Sequence, residues 1–131
     1  MIRMTNDKII YPELSYLITG VCFDTHNTKG RFLREKQYGD EIERRLKETG
    51  LLYKREFIIG NSGNVVDFMI DDRIILEIKA KRILEKEDFY QMQRYLQATD
   101  IKLGLLVNFR NRYLKPVRII RIDTAAKNKF V

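Results

Sequence analysis

The chain has 131 residues, 44% of them apolar, a length that suits one folded domain over residues 1–131. Twenty-five basic residues outnumber eighteen acidic ones, and the resulting formal charge of +7 favours a polyanionic partner such as nucleic acid. The single cysteine excludes a disulfide or a four-cysteine metal cluster, and neither a membrane span nor an export signal is visible, so a cytoplasmic protein is expected.

Two helices are predicted in the first third of the chain. Tyr11 to about His26 places its apolar side chains on one helical stripe. Phe32–Thr49 repeats large apolar side chains every four residues and ends before a glycine. Extending the stripe of the second helix back by one turn places Glu35 on its inward edge. Three other glutamates of this helix are expected to face solvent: Glu41, Glu43 and Glu48.

Three strand-like segments follow: Leu52–Ile59, Asn64–Ile70 and Arg73–Ala80. Turn-forming residues separate them, which predicts an antiparallel meander. If residues 71–73 form a three-residue loop, Asp67 lies opposite Glu77, because side chains alternate along a strand with a period of two. A two-residue loop would send these carboxylates to opposite faces of the sheet.

The remainder of the chain predicts one more helix and two more strands. Glu85–Thr99 has helical periodicity, Leu103–Phe109 is an apolar run suited to a central strand, and Val117–Ile122 alternates as a more exposed strand. The order of elements is α, α, β, β, β, α, β, β. It predicts an α/β fold in which a mixed sheet, containing the three-stranded meander, is flanked by helices.

Three charged residues within the central strands carry most of the functional argument. Asp67 interrupts one apolar run, and Glu77 and Lys79 interrupt the next. Such side chains are rarely buried unless they are paired or bind a metal. Asp67 and Glu77, with the backbone carbonyl of Ile78, are a sufficient set of oxygen ligands for Mg²⁺, with Mn²⁺ as a second possibility. In the hydrolysis of a phosphodiester, Lys79 can then orient or deprotonate the water that attacks the phosphorus. Glu35 can hold a metal-bound water or a second ion.

This pattern of an acidic helix followed by a meander with Asp and Glu-x-Lys resembles the PD-(D/E)XK nuclease superfamily, whose restriction-endonuclease-like core has the same order of elements. More narrowly, several motifs are similar to the small bacterial GxxExxR family: Glu13–Gly20, His26, Gly30, Glu35–Tyr38 and, downstream, Lys102–Phe109. The resemblance covers about Glu13–Asp123. Two positions depart from that family's name motif, since Phe32 replaces its glycine and Tyr38 its arginine.

Gln91 and Tyr95 lie one helical turn apart and resemble the Gln-x-x-x-Tyr motif of RecB-type nucleases in the same superfamily. The resemblance implies that they orient the lysine, a metal-bound water or the scissile phosphate. They can equally be a polar helix flank. Asp67, Glu77 and Lys79 can be a cross-strand salt bridge, and Glu35 can be a first-turn glutamate favoured by the helix dipole.

The only histidine, His26, can ligate a metal as in RecB-type sites, although near a helix end it more often caps carbonyls or packs, and we favour that second role. Six basic residues are candidate phosphate contacts: Arg31, Arg34, Arg94, Arg110, Arg112 and Lys115. Each of them taken alone can also be a solvated charge. Residues 104–131 carry seven basic side chains against Asp123, and this C-terminal quarter is the expected surface for a polyanion.

The sequence thus predicts a magnesium-dependent nuclease that hydrolyses DNA phosphodiester bonds through an activated water. One alternative is a nuclease-like module that binds nucleic acid or protein and no longer cleaves. Another is a junction-resolving endonuclease, which requires a homodimer so that paired sites address symmetric strands.

Overall fold

The computed structural model describes residues 10–123. Its elements in chain order are α1 (Pro12–Lys29), α2 (Glu35–Thr49), β1 (Tyr53–Ile59), β2 (Asn64–Ile70), β3 (Ile74–Lys79), α3 (Lys86–Thr99), β4 (Leu103–Asn108) and β5 (Val117–Ile120). Every predicted element is present in the predicted order. The protein is therefore of the α/β class.

The strands form one mixed sheet in the order β1-β2-β3-β4-β5. The β1-β2-β3 meander is antiparallel, β3 and β4 are parallel, and β5 returns antiparallel to β4. The parallel step needs a crossover, which α3 supplies. Within residues 10–123, no helix is long and apolar enough to cross a membrane. The cytoplasmic location stays a prediction.

Helices cover both faces of the sheet and create two cores. One core packs α1 and α2 against the sheet, through residues such as Ile18 and Ile42, and the other packs α3 against the opposite face through Met92 and Leu96. All six residues of β4 are buried. This burial on both faces explains why its sequence is a continuous apolar run. Gly104 lets α3 approach closely, because a Cβ at this position would clash with Met92.

The second helix begins at Glu35, so the predicted start at Phe32 is wrong. The backbone N–H of Arg34 donates to Gln37 Oε1 at 2.9 Å and fixes the first turn there. Glu41 also differs from expectation, because it is buried rather than facing solvent. Arg44 donates to its carboxylate at 2.7 Å, which compensates for the loss of water.

In both β1 and β2 the alternation of side chains between the two faces of the sheet is interrupted, at neighbouring positions of the two strands. Val66 and Phe68 are two residues apart and would share a face on a regular strand, yet Val66 packs in the α3 core and Phe68 in the α2 core. In β1, Tyr53 and Phe57 differ in the same way. Between them lies Glu56, whose φ of 53° is in the left-handed region. This break in both strands surrounds Asp67.

Candidate active site

The carboxylates of Asp67 and Glu77 lie together between β2 and β3. Ile70 pairs with Ile74, which confirms the three-residue loop, and the pairing runs up to Phe68 and Leu76, so that Asp67 and Glu77 are the next residues on the two strands. The backbone N–H of Asp67 donates to Glu77 Oε1 at 2.8 Å, and the N–H of Ile78 donates to Asp67 Oδ2 at 2.7 Å. Each carboxylate thus accepts a backbone hydrogen bond from the opposite strand, where main-chain pairing has ended.

Burial and mutual repulsion disfavour charge on both groups. The pKa of Glu77 is raised to about 8, chiefly by burial and then by the charge of Asp67, while the backbone hydrogen bond from Asp67 and the charge of Lys79 act in the opposite direction. Burial also raises the pKa of Asp67, with a further contribution from the charge of Glu35. A divalent cation would relieve this repulsion, and the available donors are oxygen atoms, which suit a hard ion. The donor set therefore fits magnesium.

Lys79 follows Glu77 on β3 and points towards α3. Its ammonium donates to Gln91 Oε1 at 2.9 Å and lies 3.7 Å from Asp88 Oδ1. Only 16% of the Lys79 side chain is exposed. The predicted association of Gln91 with the lysine is therefore present in the structure.

Asp88, near the start of α3, is a neighbour of Lys79 that the sequence analysis did not single out. Burial alone would raise the pKa of Asp88, but hydrogen bonds from the Glu85 backbone and Lys81 outweigh it, so the net shift is downward. Its carboxylate therefore stays ionised between Lys79 and Lys81. In the sequence Asp88 resembles any acidic residue in the first turn of a helix. Only its contact with Lys79 in the structure distinguishes it.

Tyr95 lies one turn beyond Gln91 and is buried. Burial raises the pKa of its phenol, and the negative charges of Glu77 and Asp67 raise it further. The phenol therefore stays protonated near both carboxylates. This position agrees with the pairing of Gln91 and Tyr95 that the sequence suggested.

Glu35, the first residue of α2, reaches the end of β3. Its Oε2 accepts the backbone N–H of Ala80 at 3.3 Å, and its charge raises the pKa of both Asp67 and Glu77. Glu35 and Asp67 line the same cavity of about 180 Å³. Three acidic residues thus approach one another, but within residues 10–123 no three Asp, Glu, His or Cys side chains are close enough to chelate one ion together.

Three further charged residues line this cavity and were missed by the sequence analysis, namely Lys36, Arg55 and Glu56. The guanidinium of Arg55 donates to Asp40 at 2.7 Å and to Glu43 at 3.0 Å, and its charge lowers the pKa of Asp67. A Cβ on Gly39 would lie 2.7 Å from Arg55 Nη2, so this glycine leaves space for the guanidinium. Arg55 was visible only as one charge in an alternating strand.

His26 lies against the loop after β4, apart from these carboxylates. Its Nε2 is 2.8 Å from the carbonyl oxygen of Asn111, and its ring lies 6.1 Å from that of Phe109. A ring nitrogen facing a carbonyl donates its hydrogen. This geometry agrees with the packing role that the sequence analysis favoured.

The six candidate phosphate contacts lie in different surroundings. Arg31 and Arg110 are hydrogen-bonded to each other. Arg31 Nε donates to the backbone carbonyl of Arg110 at 2.8 Å, and Arg110 Nε donates to the backbone carbonyl of Arg31 at 3.2 Å. Arg94 lies 3.9 Å from Glu87. The other three are exposed: Arg34, Arg112 and Lys115.

The C-terminal quarter is less available to a polyanion than its charge predicts. Arg118 donates to Ser15 Oγ at 2.7 Å and to the carbonyl of Ile10 at 2.9 Å. Arg121 pairs with Asp100 at 2.6 Å and with Asp123 at 2.7 Å. The guanidinium groups of these two arginines therefore bond to other residues of the protein. Lys127 and Lys129 lie outside the described residues.

The fold and these neighbouring acidic, lysine and glutamine side chains define a restriction-endonuclease-like protein. The family model of the PD-(D/E)XK nuclease superfamily matches residues 12–122, and the chain belongs to that superfamily. No curated protein and no solved structure matches the chain.

Proposed function

We propose that the protein is a metal-dependent nuclease that hydrolyses DNA phosphodiester bonds. The observation that carries this proposal is the pair of carboxylates, half-buried Asp67 on β2 and buried Glu77 on β3, held close by backbone hydrogen bonds of 2.8 and 2.7 Å, with Lys79 on the same strand as Glu77. Membership of a nuclease superfamily supports the same activity. Purely structural ion pairing would place a cation directly against these carboxylates, whereas the ammonium of Lys79 bonds to Gln91.

The residues that would hold the ion are Asp67 and Glu77, with the carbonyl of Ile78 as a third oxygen and Glu35 holding a coordinated water or a second ion. Magnesium suits this set, since it usually takes one or two protein carboxylates and keeps several waters, and manganese can replace it. When bound, the ion supplies charge stabilisation and a more acidic water. Hydrolysis then forms a bond from a water oxygen to phosphorus and breaks one ester P–O bond.

The remaining side chains position these reactants. Lys79 offsets negative charge on the phosphate and orients the attacking water, while Gln91 fixes the ammonium through its hydrogen bond of 2.9 Å. Tyr95 donates its retained proton towards the carboxylates or the phosphate. Glu35 approaches from α2 at the end of β3, on the side opposite α3.

Several finer assignments belong to the same proposal. We place the chain in the GxxExxR family, treat residues 1–131 as one nuclease domain, and retain Arg31, Arg34, Arg94, Arg110, Arg112 and Lys115 as candidate nucleic-acid contacts. A homodimer acting on DNA junctions stays a prediction, which light scattering of the purified protein can test.

A cleavage panel tests the proposal. Single-stranded, duplex and branched DNA, together with RNA, are incubated with the wild-type protein in magnesium or manganese. We expect metal-dependent cleavage of at least one DNA substrate and its loss in Asp67→Asn. Asp72→Asn is a matched control because Asp72 is exposed and pairs with Lys54 at 3.5 Å, away from the cavity. Equal cleavage by Asp67→Asn and wild type, or cleavage of none of the DNA substrates, would refute the proposal.

A further inference from the structure

Phe32 is an exposed aromatic residue between two arginines. Its side chain lies in the segment before α2, and 74% of the residue is accessible to solvent. The guanidinium carbon of Arg31 is 4.9 Å from the centre of the Phe32 ring, and that of Arg110 is 5.7 Å away. Both distances are in the cation–π range. The residue nevertheless stays largely exposed to solvent beside both guanidiniums.

Hydrogen bonds fix the segment before α2, which carries Phe32, and the loop after β4, which carries Arg110. Arg31 Nε donates to the Arg110 carbonyl and Arg110 Nε donates to the Arg31 carbonyl, at 2.8 and 3.2 Å. The buried hydroxyl of Tyr38 donates to the Gly30 carbonyl at 2.7 Å and accepts the Leu33 N–H at 3.2 Å, so it holds the chain on both sides of Phe32. The exposed ring is therefore preorganised.

This aromatic group lies beside the proposed active site. Arg110 Nη2 donates to the carbonyl of Ala80 at 3.4 Å, and Ala80 directly follows Lys79. The N–H of the same Ala80 donates to Glu35. A second exposed aromatic, Tyr113, is 74% accessible and lies on the same loop as Arg110, with the guanidinium of Arg112 5.4 Å from its ring.

We propose that Phe32, Arg31 and Arg110 form a stacking platform for an unpaired base, which makes single-stranded nucleic acid, or a single-stranded end, the substrate class of this site. The inference rests on the proposed function for its link to cleavage. Aromatic rings and guanidinium planes stack with bases of any sequence, because every base has a π-face. The arginines add positive charge for the adjoining phosphates. Each guanidinium carries five N–H donors, of which Arg31 uses one in its Nε bond and Arg110 uses two, through Nε and Nη2.

A continuous duplex cannot make the proposed stacking contact with Phe32. Its bases are stacked on one another and present only their edges in the grooves, so the duplex can offer phosphates to Arg31 and Arg110 but no free base face to Phe32. Unpaired nucleotides offer both. The platform therefore discriminates between strands by base accessibility rather than by sequence.

The test measures binding in EDTA, so that no cleavage occurs. A fluorescently labelled single-stranded oligonucleotide and the matching duplex are titrated with the wild-type protein, Phe32→Ala and Phe32→Trp. We expect Phe32→Ala to lower affinity for the single strand by about fivefold or more. Phe32→Trp should keep or raise it, and the duplex affinity should change by less than about twofold in Phe32→Ala. Phe23→Ala is a matched control, because Phe23 is a 42% exposed phenylalanine on α1.

Three results would overturn the inference: wild-type single-strand affinity in Phe32→Ala, an equal loss for single strand and duplex, or a change from dimer to monomer on light scattering, which would assign Phe32 to a contact between copies of the chain.

Binding and cleavage separate the two proposals. Phe32-dependent binding of single strands without cleavage by wild type in magnesium would remove the nuclease assignment alone. Cleavage with unchanged binding by Phe32→Ala would remove the platform alone.

Discussion

Replacing Glu77 by glutamine should remove a pH-dependent loss of stability from the metal-free protein. Burial raises the pKa of this carboxyl from 4.5 to about 8. The folded state therefore holds a proton that the unfolded state releases above pH 4.5, so the stability contributed by this group decreases as pH rises from about 5 towards 8. Below about pH 4.5 the carboxyl is protonated in both the folded and the unfolded state, so the full stability is present and no longer changes with pH through this group.

The size of the effect follows from the difference between the two pKa values. The shift from 4.5 to about 8 spans 3.5 units. At 1.36 kcal/mol per unit, the ceiling is about 5 kcal/mol. Because the charge of Asp67 contributes to the raised pKa of Glu77, and the Asp67 N–H donates to Glu77 Oε1 at 2.8 Å, the two groups titrate together, and a change of a few kcal/mol is expected.

The assay is urea denaturation in EDTA at several values between pH 5 and pH 8. Wild type should lose stability steadily over this range, and Glu77→Gln should be nearly flat, since the amide has no charge to bury. Saturating magnesium should restore wild-type stability at pH 8 by binding the ionised carboxylates. A wild-type curve without slope, or the same slope in Glu77→Gln, would refute the reasoning about this pair.

Three further substitutions give separable results. Gln91→Ala should lower the cleavage rate about tenfold or more, at unchanged melting temperature, because the ammonium of Lys79 loses its partner at 2.9 Å; an unchanged rate would place Gln91 outside the site. Glu56→Gly should raise the free energy of unfolding by about 0.5–1 kcal/mol, since glycine tolerates the φ of 53°, whereas Glu56→Ala should give no gain in urea denaturation. Gly104→Ala should lower the free energy of unfolding by about 1–3 kcal/mol in the same assay, because the added methyl clashes with buried Met92; a neutral result would mean that α3 shifts freely.

The sequence predicted the elements and the neighbouring acids because both depend on local patterns. Helical and strand periodicity identify which segments pack, and the three-residue loop fixes the register that brings Asp67 to Glu77. The spacing of Gln91 from Lys79 was less informative, since it depends on how α3 lies across the sheet. That contact, at 2.9 Å, follows from the resemblance to known nucleases more than from any local rule.

The errors share a different cause, which is backbone or tertiary context that a periodic pattern does not contain. The change of face in β1 and β2 beside Asp67 coincides with a left-handed residue, Glu56, which strand periodicity does not anticipate. Glu41 is buried because two arginines surround its carboxylate, and the charge of Arg121 is taken up by Asp100 and Asp123. Counting charges along the chain cannot distinguish such paired residues from free ones.

Calorimetric titration of magnesium into the purified protein measures whether Asp67 and Glu77 bind a divalent ion. We expect wild type to bind the ion with release of protons near neutral pH, because Glu77 must ionise. Asp67→Asn and Glu77→Gln should lose this heat, while Asp72→Asn keeps it. Magnesium uptake that is unchanged in both carboxylate variants, or no uptake by wild type, would contradict a metal site at this pair.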